Sequence, residues 1–143
     1  MKIIFLFSLV FIVLTGCSTF VNYPDATPVP DAKLGSAYSK YQTPTDETAR
    51  IIVVRDTGPG GFPITSQFFI NGELVAKMRH GQSITLYMKP GEYSLGFNAG
   101  FLKSANEKPY TEQSLKVTPG ETYYYRIGAA PVKGWELEKV SLN

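Results

Sequence analysis

Alternating apolar and polar positions run through the middle of the chain, over residues 66–97, and turn signals interrupt them at three points. The first is Asn71-Gly72, a pair that tolerates the positive φ angles of a type I′ hairpin turn. Residues 79–82 make the second break, and residues 89–92, where Pro precedes Gly, have the chemistry of a type II turn. The pattern predicts four antiparallel strands in a row.

Further strand patterns lie on both sides of this stretch. Residues 49–55 are rich in β-branched side chains and apolar on both faces, which is typical of a central, doubly covered strand. Residues 135–140 alternate in charge, which suits the edge of a sheet. Residues 98–113 form the longest irregular passage, either a surface crossover or a functional loop. An all-β domain follows, a small antiparallel β-sandwich of about seven or eight strands over residues 49–143.

The N-terminus has a different pattern. Lys2 is followed by residues 3–14, which are apolar apart from Ser8. This run is shorter than the roughly 20 residues of a transmembrane helix, and it has the basic and apolar regions of a secretory signal. Residues 1–16 are therefore predicted to be a signal helix that is removed from the mature protein.

The signal ends in Leu14-Thr15-Gly16-Cys17, which resembles the lipobox of bacterial lipoproteins and contains the only cysteine of the chain. The resemblance implies cleavage before Cys17, a diacylglycerol on its thiol and an acyl chain on its new amine. Each buried methylene contributes about 0.8 kcal/mol, so two or three chains hold a protein firmly to a membrane. Ser18, in place of Asp, resembles lipoproteins of the outer membrane that face the periplasm. The implied location is the bacterial cell envelope.

Residues 17–48 contain four prolines and show no sustained periodicity. Proline favours extended geometry and blocks ladder hydrogen bonds, so the segment is predicted to be the lipidated N-terminus followed by a flexible tether. A coil of this length would hold the domain roughly 30 Å from the membrane. The alternative is that Tyr38 and Tyr41 dock part of the tether on the domain.

Charge and reactive residues exclude several classes of function. The net charge is +2, and removal of Lys2 with the signal leaves 13 basic residues against 12 acidic ones, which argues against a nucleic-acid partner. One cysteine cannot form an internal disulfide, and no metal-ligand spacing is present. His80 is the only histidine, and the chain has no GxSxG motif. We therefore expect no enzyme activity, no metal and no cofactor beyond the acyl groups on Cys17.

Aromatic residues offer the main candidate for a binding surface. Tyr124 and Arg126 occupy the polar face of an alternating strand. Together with Trp135 or Phe62, they are candidates for a flat platform that binds sugar or peptide. The alternative is that these rings fill the second face of the sandwich or cover an edge.

The turn motifs carry a family resemblance. Asn71-Gly72, then Pro90-Gly91-Glu92, then Pro119-Gly120-Glu121 with three tyrosines resemble small bacterial lipoproteins of the domain of unknown function 2846 family, and more broadly the PEGA and carboxypeptidase-regulatory β-sandwiches. The resemblance spans nearly all of residues 47–127 and implies no catalytic residues. The expected function is that of an envelope lipoprotein that contacts the membrane through acyl chains and another envelope protein through its domain. The alternative is a carbohydrate- or peptidoglycan-binding module.

Overall fold

The computed structural model describes residues 20–57, 64–99, 109, 111–130 and 134–141. The predicted signal helix, Cys17 with the rest of the lipobox, and Phe62 lie outside these ranges. Within them, no helix has the length and apolar character needed to cross a bilayer.

The described residues form nine strands in two sheets, and the predicted all-β sandwich is confirmed. One sheet has five strands in the order β1-β5-β2-β8-β9, and the other has four in the order β4-β3-β6-β7. Pairing is antiparallel except between β1 and β5 and between β2 and β8. The strands are β1 (Thr27–Pro28), β2 (Ala49–Arg55), β3 (Ser66–Ile70), β4 (Glu73–Met78), β5 (Gln82–Met88), β6 (Gly91–Asn98), β7 (Thr111–Val117), β8 (Thr122–Ala130) and β9 (Gly134–Val140).

The core lies between the two sheets, and alternate residues of β2 to β9 supply most of it. As the pattern of β8 predicts, Tyr123, Tyr125 and Ile127 point inward. They share one apolar cluster with Phe68 of β3 and Phe97 of β6, on the opposite sheet. The strand β2 is central, as predicted, and β9 is at the edge of its sheet.

The prediction of four consecutive antiparallel strands is wrong. Of the three turns in residues 66–97, only Asn71-Gly72 joins strands that pair with each other, β3 and β4, and its φ angles are 50° and 76°. The next two turns cross between the sheets, since β5 pairs with β2 and β1 while β6 pairs with β3 and β7. Turn residues determine where the chain reverses, whereas the strand that becomes the neighbour depends on how both sheets bury their apolar faces.

Residues 20–41, which we call the strap, wrap around one side of the sandwich. The backbone N–H of Val29 donates to the carbonyl oxygen of Ser83 at 3.0 Å, and the N–H of Gly35 donates to that of Val75 at 2.8 Å. The strap thus runs along β5 of one sheet and then reaches β4 of the other. It contains three 3₁₀ turns, Tyr23–Asp25, Asp31–Lys33 and Ser36–Tyr41, besides β1.

Side chains of the strap belong to the core. Val29, Ala37 and Tyr41 are buried in the main apolar cluster, and Leu34 and Tyr38 pack against it. Gly35 passes so close to β4 that an added Cβ would lie 2.1 Å from the carbonyl oxygen of Leu74. The sequence left two alternatives for residues 17–48, a flexible tether or docking on the domain through Tyr38 and Tyr41. The contacts of the strap match docking, because its buried apolar side chains stabilise its position on the sandwich.

Candidate functional site on the outer face of the five-stranded sheet

The outer face is the side of the five-stranded sheet that points away from the four-stranded sheet. Strand register places residues of β5, β2 and β8 side by side on this face, because residues directly opposite each other point the same way. The outer face consists of three rows, Tyr87–Arg50–Thr122, Thr85–Ile52–Tyr124 and Ser83–Val54–Arg126.

Tyr23 of the strap lies across the middle of this face. Its hydroxyl oxygen accepts a hydrogen bond from the Arg50 guanidinium at 2.8 Å and lies 3.3 Å from the hydroxyl oxygen of Thr85. The Tyr23 ring meets the Tyr124 ring edge-on at a centroid distance of 6.4 Å, and the Arg50 guanidinium carbon lies 5.4 Å from the Tyr23 centroid. Ile52, beneath this layer, is fully buried although it points away from the core.

Phe20, at the start of the described chain, lies over the other end of the outer face. The guanidinium carbon of Arg126 is 5.0 Å from the centroid of the Phe20 ring. Arg126 also donates from Nε to Oδ2 of Asp56 at 2.9 Å, and its Nη1 lies 3.7 Å from Oε2 of Glu138. The Asp56 side chain is fully buried and that of Arg126 is 25% exposed, so the ion pair holds the guanidinium in one place under Phe20.

A cleft of about 460 Å³ lies between the strap and β5, a size typical of small-ligand sites. Four of its lining side chains carry hydroxyl groups, and the other lining residues are apolar or proline. None of the lining residues is charged, so the cleft suits a neutral ligand. The lining consists of Tyr23, Pro24, Ala26, Pro28, Val29, Leu34, Tyr38, Ser83, Ile84 and Thr85.

The structure brings only part of the predicted aromatic platform together. Tyr124 and Arg126 share the outer face, but the register of β9 with β8 places Trp135 opposite Ala129, on the inner side of the sheet. Trp135 packs against the core there, with the Arg55 guanidinium carbon 5.0 Å from its ring. Trp135 therefore does not share a surface with Tyr124, because side chains at odd and even positions point to opposite faces of a sheet. Phe62 lies outside the described residues.

Arg55 is a buried cation that the sequence did not single out. It donates to the backbone carbonyl of Ile64 and, at 2.8 Å, to that of Met78. Burial lowers the pKa of its guanidinium to about 10, so it remains charged at neutral pH. Its carbonyl partners and the Trp135 ring indicate a structural role, joining β2 to the end of β4.

His80 is exposed in the turn after β4. Across the described ranges, no three His, Cys, Asp or Glu side chains lie close enough together to hold a metal ion.

No protein-family model matches this chain, and no curated protein matches its sequence. The resemblance to the domain of unknown function 2846 family therefore remains a prediction from turn motifs.

Sequence reasoning missed Tyr23 and Arg50 as site residues. Tyr23 stands in a proline-containing segment without periodicity, and Arg50 lies in a strand otherwise defined by its apolar residues. The sequence contained one indication for Arg50, because a charged side chain in a strand that is predicted to be covered on both faces requires polar or aromatic partners.

Proposed function

We propose that this protein is a lipid-anchored envelope lipoprotein whose β-sandwich acts without catalysis, through contacts with another envelope protein. The observation that carries the proposal is the position of Cys17. It ends the lipobox-like motif, and three residues later the chain packs onto the sandwich. The strap, which begins three residues after Cys17, would then join the anchor to the outer face.

The end of the outer face formed by Tyr87, Arg50 and Thr122, which we call the distal end, is the best candidate for the protein contact. Thr122 is exposed there, and Tyr87 and Arg50 beside it are half-buried. Arginine and tyrosine are enriched at protein interfaces, because each combines a large contact area with directional hydrogen bonds. Tyr124 is partly covered by Tyr23, which argues against a flat, open aromatic platform for sugars.

The neutral cleft beside the strap favours a second candidate function, the binding of a carbohydrate. Its hydroxyl groups and the rings of Tyr23 and Tyr38 suit an uncharged polyol, which needs hydrogen bonds together with apolar stacking.

The anchor is tested by replacing Cys17 with Ala in the full chain and comparing the membrane and soluble fractions of the cell. We expect the wild type in the membrane fraction with a mass that includes acyl groups, and the variant in the soluble fraction without them. Recovery of both proteins in the soluble fraction, without added mass, would refute the lipoprotein assignment.

The contact surface is tested by photo-crosslinking in cells from position 122. The matched control is position 116, since Lys116 is exposed on a strand of the opposite sheet. A discrete protein adduct from position 122 but not from 116 supports the interaction module. An adduct with glycan favours the second candidate, and identical patterns from both positions contradict a specific contact at this end.

A further inference from the structure

We propose that the sandwich lies directly against the bilayer, with the Phe20 side chain in the interfacial layer of the lipid, instead of standing off on a spacer. The inference rests on the proposed function, because it takes the acyl chains on Cys17 as its starting point.

The first argument is reach. Cys17 precedes Phe20 by three residues, and a fully extended chain advances at most about 3.6 Å per residue, so their Cα atoms are at most about 11 Å apart. The Phe20 ring is seated on Arg126, and Tyr23 is hydrogen-bonded to Arg50. A lipid surface that contains the acyl chains of Cys17 therefore lies within about 11 Å of the Phe20 Cα atom, not at the roughly 30 Å of a free coil.

The second argument is the exposure of Phe20 itself. It is 44% exposed, and no other large hydrophobic side chain of the described residues is exposed. A phenyl ring that close to a membrane gains free energy by entering the boundary between headgroups and acyl chains. The domain buries only part of the Phe20 side chain, and lipid at this position could bury the rest.

Charge around Phe20 indicates which lipids are needed. Arg126 is paired with Asp56, and Glu138 lies 3.7 Å from the guanidinium, so this group of three carries one net negative charge. This group therefore offers no net positive charge to anionic headgroups. We therefore expect the contact to form on neutral phosphatidylcholine and to be insensitive to moderate salt.

The orientation has a consequence for the outer face. From Arg126 to Thr122 the strand β8 runs four residues, about 13 Å at the usual rise of a strand. One end of the outer face then meets the membrane, while the end with Thr122 and Arg50 projects away from it. A partner protein would reach this distal end from the aqueous side.

The test uses the full chain with its natural acyl groups, carrying Phe20→Cys labelled with an environment-sensitive fluorophore. Acylation blocks the Cys17 thiol, and the chain has no other cysteine, so the label is specific. Asn22→Cys, at an exposed neighbour in the strap, repeats the measurement with Phe20 intact, and Lys116→Cys on the opposite sheet is the control. Each protein is reconstituted in phosphatidylcholine vesicles with and without nitroxide-headgroup lipid.

We expect strong nitroxide quenching and a blue-shifted emission at position 20, clear quenching at position 22 and none at position 116, unchanged by salt. An acylated protein that floats with the vesicles but shows no quenching at position 20 refutes the direct contact and leaves the lipoprotein assignment intact. A blue shift without quenching also refutes it, because protein rather than lipid then covers this position. A chain that carries no acyl groups by intact mass refutes both proposals.

Discussion

Replacement of Tyr41 with Ala tests whether the strap is part of the folded domain. Tyr41 is buried in the main core cluster at the end of the strap, although a flexible tether was predicted for residues 17–48. Truncation of a buried aromatic side chain costs roughly 3–5 kcal/mol, and the residual 9% exposure of Tyr41 places it at the low end, about 3 kcal/mol. In a free spacer the same change would alter the free energy of unfolding by less than about 0.5 kcal/mol.

The measurement is urea unfolding of the chain from Ser18 onward, followed by intrinsic fluorescence. With a slope of about 1.5 kcal/mol per molar urea, a loss of 3 kcal/mol lowers the midpoint by about 2 M. Thr43→Ala is the matched control, because Thr43 is exposed two residues further along the same segment. Equal midpoints for Tyr41→Ala and Thr43→Ala would show that the strap does not contribute to the core.

Two further predictions concern charge. Arg126→Met is expected to lower the free energy of unfolding by about 3 kcal/mol, because it removes the guanidinium partner of the fully buried Asp56 carboxylate. Adding Asp56→Asn to the same chain should restore most of this loss in a urea titration. A double variant no more stable than Arg126→Met would contradict the explanation. Burial raises the pKa of the Tyr41 and Tyr125 hydroxyls above the usual 10.0, so the unfolded chain releases these protons at a lower pH than the folded chain does. The contribution of these two hydroxyls to stability is therefore complete below about pH 10 and is lost as the pH rises through the pKa values of the folded protein. Urea midpoints measured from about pH 9 to 11 should fall, and Tyr125→Phe should flatten the fall; an unchanged slope would count against tyrosine ionisation as its cause.

Local patterns predicted much of the sandwich but little of the candidate site. The alternation in β8 correctly placed Tyr123 and Tyr125 in the core and Tyr124 on the outer face, because side-chain direction in a strand is a local property. Trp135 followed a similar alternation, yet its face depended on its register with β8, which the pattern of β9 alone does not specify.

Local sequence patterns were enough to predict where most strands and turns occur, which side chains of a strand share a face, and the position of the lipobox-like motif. These properties depend on residues within a few positions of one another. Three features became known only from the folded chain: β2 and β8 pair in parallel, β4 and β5 belong to different sheets, and Tyr23 contacts Arg50 on the outer face. Each of these contacts joins distant parts of the chain, and it forms because both sheets and the strap must bury their apolar side chains in one shared core.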